Sequence, residues 1–341
     1  EIKLTTNIED IFNDNSIDCI VEVMGGVEYP YEIIKRALTN NVNVVSANKD
    51  LIALHGKELL ELAKNNDCSL FFEAAVAGGI PILRTITKSL ANDEIFDIKG
   101  ILNGTSNYIL TKMTQENLSY EAALKQAQEL GFAEADPTAD VEGIDAARKV
   151  AILAMLAFNV NTTLKDVKVE GISNVKDNDI KIASDLSYTI KLIGHTFKND
   201  SSISLYVTPS FVNNNNPLAQ VDNELNSVYL EGKYINKLNL VGPGAGSLPT
   251  GIAVVSDIIE VAYQKQGNLN GKDIVIPNST FKINNESLEE YIIFGDEKEV
   301  LTLTNQYKII KNTAYYTNSL DSNKVKDLKE KTNLSIYKII N

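Results

Sequence analysis

Residues 17–50 (IDCIVEVMGGVEYPYEIIKRALTNNVNVVSANKD) decide the fold class of this 341-residue chain. The apolar, β-branched run at 17–23 is typical of a buried strand, and the Met-Gly-Gly that ends it indicates a loop. Residues 31–38 have the spacing of an amphipathic helix. A second strand is predicted at 42–46, where β-branched residues recur. The stretch therefore predicts a strand–helix–strand unit with short links.

The same alternation continues along the chain, with a helix predicted at 51–63 and a third strand at 69–75. Strands that alternate with helices in this way form a parallel sheet with right-handed crossovers, as in Rossmann-like folds. In such sheets ligands bind beyond the carboxyl ends of the strands. That edge of the predicted sheet carries Gly25, Gly26, residues 47–49 and residues 75–79.

The middle of the chain has a different pattern, which predicts an α+β unit with a mixed sheet. Helices are predicted from 105 onward, at 120–130 and at 143–158, and Ser119 and Gly131 have the chemistry of a helix N-cap and a helix stop. Strands are predicted at 95–102, 203–208, 227–230 and 238–241. A glycine-rich segment at 242–246 then precedes an apolar helix at 252–263.

These patterns predict an α/β protein of three parts. Residues 1–75 form a parallel-sheet domain, and residues 76–241 form the α+β domain. The GxGxxG unit that opens a dinucleotide-binding domain is absent from this sequence, so the parallel sheet is expected to be incomplete. Residues 267–341 are a polar C-terminal extension with short strand-like runs.

Charge, apolar runs and cysteine content indicate which partners and which cellular compartment to expect. The formal net charge is -13, which repels phosphate backbones and argues against nucleic acid as a partner. No apolar run reaches the roughly 18 residues of a membrane span, and no signal peptide is visible, so the cytoplasm is expected. Cys19 and Cys68 lie in apolar runs and are interpreted as small core residues in a reducing compartment.

The strongest chemical pattern is GFAEADPTADVEGIDAARK at 131–149, which concentrates acids ahead of a lysine. Asp145 and Lys149 are four residues apart on a predicted helix, so they share one face. An ammonium held by a carboxylate can act as a general acid or base at a carbonyl or hydroxyl, and neighbouring acids can bind a cationic substrate group. The alternative is a solvated acidic loop beside an ordinary helix salt bridge.

Three further segments carry candidate binding residues. Lys49 follows a strand in VVSANKD (44–50), where it could meet a phosphate or the reacting centre, or be a surface lysine at a helix start. The glycines of EAAVAGGIP (73–81) allow close approach to a ligand or convergence of carbonyls on a cation, or make only a tight turn. GPGAG (242–246) is a weak nucleotide signal by itself. His55 and His195 lack neighbouring ligand patterns, so a histidine metal site is not expected.

Together these segments resemble one family, the homoserine dehydrogenases, over residues 1–264. The resemblance is carried, in order, by SANKDLIA (46–53), EAAVAGGIPIL (73–83), GILNGTSNYILTKM (100–113) and GFAEADPTADVEGIDAARKVAILA (131–154). It implies reversible reduction of L-aspartate 4-semialdehyde to L-homoserine with NADH or NADPH, in the biosynthesis of threonine, methionine and isoleucine. It also implies a homodimer. It makes residues 1–75, completed by 242–266, a partial dinucleotide-binding domain and residues 76–241 the substrate-binding, catalytic and dimerisation domain.

The resemblance assigns roles residue by residue. It implies that Lys149 is the catalytic lysine at the reacting oxygen, that Asp145 stands beside it, and that Lys49 lies near the nicotinamide and substrate. It implies that Glu134 and Asp140 hold the substrate. Cofactor-binding positions are Lys49 and Gly246, to which the sheet-edge rule adds Gly25 and Gly26. A sodium ion at the domain hinge would be bound by the backbone carbonyls of Glu73, Val76, Gly78 and Ile80.

The sequence departs from the family pattern in two places. Without the GxGxxG unit, a chain that starts at Glu1 is expected to bind dinucleotide poorly, and the preference for NAD or NADP is undecided. Many relatives end in a threonine-binding ACT domain, but the DxPG-type turn is not found here, so 267–341 is interpreted as a degenerate or absent ACT-like module.

Two other hypotheses remain for the function. The protein could be a dehydrogenase of another amino-acid semialdehyde, or a non-catalytic binding or scaffold protein that lost its cofactor unit.

Overall fold

The structure is a computed structural model that describes residues 3–264, 279, 281–285, 288–304, 306–311 and 314–341. Residues 265–278, which comprise the end of the segment 242–266 and the start of the C-terminal extension, lie outside the described residues. Among the described residues, none of the helices combines the length and the apolar character needed to span a membrane.

The N-terminal part is a small parallel sheet flanked by helices. After a short helix α1 (Glu9–Phe12), the elements are β1 (Cys19–Glu22), α2 (Glu28–Thr39), β2 (Asn43–Ser46), α3 (Lys49–Asn65) and β3 (Leu70–Phe71). The strands pair in the order β1-β2-β3, all parallel. Apolar residues of α2 and α3, such as Ile34 and Leu59, are fully buried. The parallel sheet predicted from residues 17–75 is confirmed.

The third strand is shorter than the predicted 69–75. After Phe71 the chain turns into a 3-10 helix, Glu73–Ala75. The turn is held because the Glu73 N–H donates to Asp257 Oδ2 at 2.8 Å and the Ala75 N–H donates to the Phe72 carbonyl at 2.9 Å. Asp257 lies far along the sequence, so an apolar run alone could not show where the strand stops.

The chain then forms a series of helices and β4, which is the first strand of the larger sheet along the sequence. They are α4 (Ile82–Arg84), which continues into a π-helical turn (Thr85–Ser89), β4 (Ile95–Ile101), α5 (Gly104–Gln115), α6 (Tyr120–Glu129), α7 (Thr138–Val141) and α8 (Ile144–Ala157). The Ser119 hydroxyl accepts the Ala122 N–H, and Gly131 adopts a φ of 76° after α6. The predicted cap and stop are therefore confirmed.

The larger sheet is mixed, as predicted. Its elements are β5 (Lys168–Val169), α9 (Asp177–Asp185), β6 (Tyr188–Lys198), β7 (Ser202–Asn213), β8 (Leu225–Gly232) and β9 (Asn236–Pro243). Strands β7-β6-β4-β8-β9 are neighbours in that order and antiparallel. Strand β6 was not predicted from the sequence, because Lys191 and His195 break its apolar pattern although both are buried.

Helix α10 (Ser247–Tyr263) returns to the small sheet and contacts β1 and β2. Its buried residues are Ala253, Asp257 and Val261. Arg84 on α4 pairs with Asp257 at 2.8 Å, so α10 is also fastened to the segment that leaves the small sheet.

The C-terminal extension continues the mixed sheet. Its elements are β10 (Lys282–Ile283), β11 (Leu288–Phe294), α11 (Glu297–Leu303), β12 (Lys308–Lys311), β13 (Ala314–Asp321), α12 (Ser322–Lys331) and β14 (Ser335–Ile340). From β11 onward the order β-α-β-β-α-β, with strands arranged β12-β13-β11-β14, is that of a ferredoxin-like unit. Strand β14 pairs in parallel with β7. Whether this unit is a degenerate ACT-like module stays a prediction.

Candidate active site

The site forms where the first turn of α3 meets the first turns of α8. Asp145 and Lys149 lie one turn apart on α8, with Lys149 Nζ 2.7 Å from Asp145 Oδ2. Lys49, the first residue of α3, places its Nζ 3.2 Å from the other oxygen, Asp145 Oδ1. Asp145 and Lys149 are only 6% and 8% exposed. The structure thus brings the three sequence-predicted catalytic residues together, with Asp145 and Lys149 buried and Lys49 partly exposed, and not in a solvated loop.

The Lys149 ammonium is held by two acceptors on different elements. It donates to Asp145 Oδ2 and, at 2.6 Å, to the main-chain carbonyl of Leu102 in the turn before α5. An ammonium has three N–H donors. Among the described residues two of the three are engaged, which leaves one donor for an oxygen of a bound molecule.

Asp140 joins the cluster through an asparagine. Asn103 Nδ2 donates to Asp140 Oδ1 at 2.7 Å and to Asp145 Oδ2 at 3.0 Å. Asn103 Oδ1 accepts the Ser106 N–H at 2.8 Å, so the same side chain is the N-cap of α5. One amide therefore links two of the predicted acids and begins a helix.

The two carboxyls have opposite tendencies to ionise. Burial opposes ionisation of Asp145, but the charges of Lys149 and Lys49 outweigh it and hold the pKa of Asp145 well below its usual range. Burial raises the pKa of Asp140, and the hydrogen bond from Asn103 opposes that rise. Asp145 is therefore the fixed negative charge of the site, while Asp140 keeps its proton to higher pH than an ordinary aspartate.

A second ion pair joins the same two helices. Arg148 Nε on α8 lies 2.5 Å from Asp50 Oδ1 on α3. Lys49–Asp145 and Asp50–Arg148 thus pair neighbouring residues of α3 with residues of α8 in both charge directions. No local sequence pattern indicates this second pair, because its partners lie about a hundred positions apart.

Glu134, the other predicted substrate ligand, lies outside the hydrogen-bonded cluster. Glu134 is exposed, and its main-chain carbonyl accepts a hydrogen bond from Gln128 Nε2 at 3.1 Å. Among the described residues no contact joins its carboxylate to Lys149 or Asp145, so its assignment to the substrate stays a prediction.

Gly25 and Gly26 form the loop after β1, next to the start of α3. Asn48 Nδ2 donates to the Gly26 carbonyl at 2.8 Å, and Asn48 Oδ1 accepts the Leu51 N–H at 3.1 Å as the N-cap of α3. Gly26 has a φ of 83°, and a Cβ at either glycine would meet no atom within 4 Å. The loop therefore presents bare backbone beside Lys49, which suits close approach of a cofactor.

The glycine-rich segment before α10 lies against residues 73–81, the loop that follows β3, which we call the hinge loop. The Gly79 N–H donates to the Pro243 carbonyl at 3.0 Å. A Cβ on Gly78, whose φ is +50°, would stand 2.5 Å from the Gly244 carbonyl, so only glycine fits there. Gly246, the predicted cofactor contact, precedes α10 with a φ of 111°.

The predicted sodium ligands lie in this same hinge loop. Among the described residues the carbonyls of Val76 and Gly78 accept no hydrogen bond, whereas that of Ile80 accepts the Ile82 N–H at 2.7 Å. The Glu73 carboxylate is occupied by the N–H groups of Leu83 and Arg84, both at 2.8 Å. The described residues contain no group of three or more acids, histidines or cysteines suited to a metal ion. Main-chain oxygens are ligands that suit a hard cation, and two of the four predicted carbonyls, those of Val76 and Gly78, are available for one among the described residues; the sodium site stays a prediction.

Sequence reasoning missed Asn103 as a site residue, and it placed Asn48 at the ligand-binding edge without giving it a role. Each stands between a predicted strand and a predicted helix, where asparagine is a favoured N-cap. That signal was present in the sequence, although it indicates a helix start and not a bond to a carboxylate.

Comparisons with known proteins identify the family of this chain. Residues 1–73 match the family model described as the homoserine dehydrogenase NAD binding domain, and residues 81–259 match the homoserine dehydrogenase model. The homoserine dehydrogenase of Bacillus subtilis is 50% identical over 274 residues, which cover 80% of this chain and 63% of that protein. The chain thus spans less than two thirds of that relative's length.

Solved structures show the same fold. The chain matches a homoserine dehydrogenase from Thiobacillus denitrificans with a TM-score of 0.89 and 30% identity, over 99% of this chain and 85% of the other. It also matches a hyperthermophilic archaeal homoserine dehydrogenase in complex with NADPH, with a TM-score of 0.66 and 28% identity, over 76% of each chain. Family models, relatives and fold agree: this chain belongs to the homoserine dehydrogenase family.

Proposed function

We propose that the protein catalyses the reversible NAD(P)-dependent oxidation of L-homoserine to L-aspartate 4-semialdehyde, in the biosynthesis of threonine, methionine and isoleucine. One observation carries the proposal. The buried Lys149 ammonium is held by Asp145 and the Leu102 carbonyl, with one donor left for a substrate oxygen. Family membership supplies the substrate pair and the class of cofactor.

Lys149 handles the proton of the reaction. The nicotinamide, when bound, accepts or supplies the hydride. During reduction, negative charge develops on the aldehyde oxygen, and the Lys149 ammonium stabilises that charge and donates a proton to it. Asp145 stays ionised and keeps the ammonium in place. During oxidation Lys149 acts in its neutral form: it has first released a proton to solvent, and the amine then receives the hydroxyl proton, directly or through a water.

The remaining site residues bind and orient the two molecules. We assign Asp140 and Glu134 to the substrate, with Glu134 at its ammonium group, and Lys49 to the space between substrate and nicotinamide. Gly25, Gly26 and Gly246 are assigned to the cofactor. The carbonyls of Glu73, Val76, Gly78 and Ile80 are assigned to a structural sodium ion, supported by the two main-chain oxygens that accept no hydrogen bond among the described residues. A homodimer formed through the mixed sheet of 76–241 is part of the proposal.

The test is homoserine oxidation by the natural full-length protein, assayed with NAD and with NADP separately. Lys149→Met keeps most of the side-chain volume and removes the ammonium, and kcat should fall by about 100-fold or more. Lys125→Met is the matched control, since Lys125 on α6 is 77% exposed and pairs with Glu129 at the surface. A Lys149→Met enzyme within threefold of the unmodified enzyme would refute the assignment.

A further inference from the structure

Asn103 connects the two acids of the site, and neither motif nor resemblance assigns it a role. The residue is buried and donates to both Asp140 and Asp145. We propose, on the basis of the proposed function, that Asn103 is a positioning residue: its amide holds the carboxylates of Asp140 and Asp145 in the arrangement that orients the Lys149 ammonium.

The orientation of the amide follows from its three partners. The Ser106 N–H can only donate, so it must face Asn103 Oδ1, as it does at 2.8 Å. The amide nitrogen, with two hydrogens, then faces the two carboxylates, which can only accept when ionised. A flipped amide would place an oxygen against two carboxylates and an NH2 against an N–H. No other orientation satisfies every partner.

Asn103 and the residue before it act on the site from one short turn. The Leu102 carbonyl accepts from Lys149 Nζ at 2.6 Å, and the next side chain donates to Asp145, which also holds Lys149. The ammonium, its counter-ion and the amide therefore form a closed set of contacts between this turn and α8. The turn itself is held at the N-terminus of α5. Its contacts with Lys149 and Asp145 therefore fix where the ammonium lies.

The amide also separates two like charges. The charge of Asp145 raises the cost of ionising Asp140, and the cations that face the two acids are Lys149 on α8 and Lys49 on α3. Two N–H donors between the carboxylates reduce their repulsion without adding charge. An acid in place of the amide would add a third negative charge at the same point.

Asn103→Asp tests this role while keeping the helix cap, because an aspartate oxygen still accepts the Ser106 N–H. At pH 8 the new carboxylate repels Asp140 and Asp145, and kcat should fall by about tenfold or more. Toward pH 6 the buried acid takes up a proton and can donate again, so the deficit relative to the unmodified enzyme should shrink. The KM for the dinucleotide should change little.

Two variants separate positioning from helix capping. Asn103→Ser keeps a capping oxygen but is too short to bridge both acids. Asn216→Asp makes the same change at a half-buried N-cap outside the site, where Oδ1 accepts the Leu218 N–H at 2.9 Å and Nδ2 donates to the Asn341 carbonyl at 3.0 Å. The control should keep the pH profile of the unmodified enzyme. Melting temperatures of all three variants report any loss due to capping alone.

A second readout does not depend on turnover. With aspartate labelled at the carboxyl carbon, the titration midpoint of Asp140 should move to higher pH in Asn103→Ser, because a hydrogen bond to its ionised form is lost. If the Asp140 midpoint is unchanged, or if Asn103→Asp shows the same activity ratio at pH 6 and pH 8, the positioning role is refuted. Absence of homoserine oxidation by the unmodified protein would instead refute the proposed function, and the titration would still decide the role of Asn103.

Discussion

Replacing Asp145 by Asn should damage stability and catalysis together. The carboxylate accepts from Lys149 at 2.7 Å and from Asn103 at 3.0 Å, and it faces Lys49 at 3.2 Å. Removing one partner of a buried ion pair leaves the other charge without compensation, which costs about 3–5 kcal/mol. Lys49 is 37% exposed and recovers water, so the lower half of that range is expected.

The catalytic effect has the same origin. Without the negative charge beside it, the Lys149 ammonium is less stable in its buried setting and loses its orientation. We expect kcat for homoserine oxidation to fall by about 100-fold. Steady-state kinetics gives this quantity, and urea unfolding gives the change in the free energy of unfolding.

The stability effect of Asp145→Asn should also depend on pH. The folded pKa of Asp145 lies below its unfolded value of about 3.9, so its contribution is complete above that pH and is lost as the pH falls through the folded pKa. The difference between the two proteins should therefore be constant from pH 8 to pH 5 and shrink below about pH 4.

A paired replacement is the matched control. Asp145→Leu with Lys149→Met substitutes apolar side chains for the buried pair, so stability should recover toward that of the unmodified protein while activity stays lost. Unchanged stability of Asp145→Asn, or a difference in stability that grows below pH 4, would refute the reasoning.

Two further predictions concern the contacts around the site. Arg148→Asp and Asp50→Arg should each lower kcat/KM by several-fold and the double reversal should restore most of it, because the pair links α3 to α8; equal losses in single and double variants would contradict a specific pairing. Burial raises the folded pKa of Glu73 to about 7, above its unfolded value, so this residue should make the free energy of unfolding fall as pH rises from about 4 to 7. Glu73→Gln should flatten that part of the stability curve in urea titrations, and an unchanged slope would contradict it.

Much of the fold follows from local patterns. Strands β1 and β2 were predicted because each is a short β-branched run that ends in loop residues. Strand β6 was missed because two of its buried residues are ionisable. Lys191 donates to the Val221 carbonyl at 2.6 Å, and His195 faces Asp97 at 3.1 Å. These partners come from other elements, so no local pattern shows that such residues can be buried.

The site, like the fold, was predicted only where its features are local in the sequence. The spacing of Asp145 and Lys149 on one helix face, and Lys49 after a strand, are local features that the sequence shows directly. The Leu102 carbonyl is not, because a main-chain acceptor has no sequence signature. The dual role of Asn103 also depends on tertiary structure, which places α8 beside the turn before α5.

The central claim is that the Lys149 ammonium meets the oxygen that gains or loses a proton. The most direct measurement is a crystal structure of the full-length protein with L-homoserine and oxidised cofactor. The account predicts that the substrate hydroxyl oxygen lies about 3 Å from Lys149 Nζ, or is bridged to it by one water. A substrate hydroxyl bound beyond the reach of Lys149, with the acid-rich turn at 131–142 empty, would contradict it.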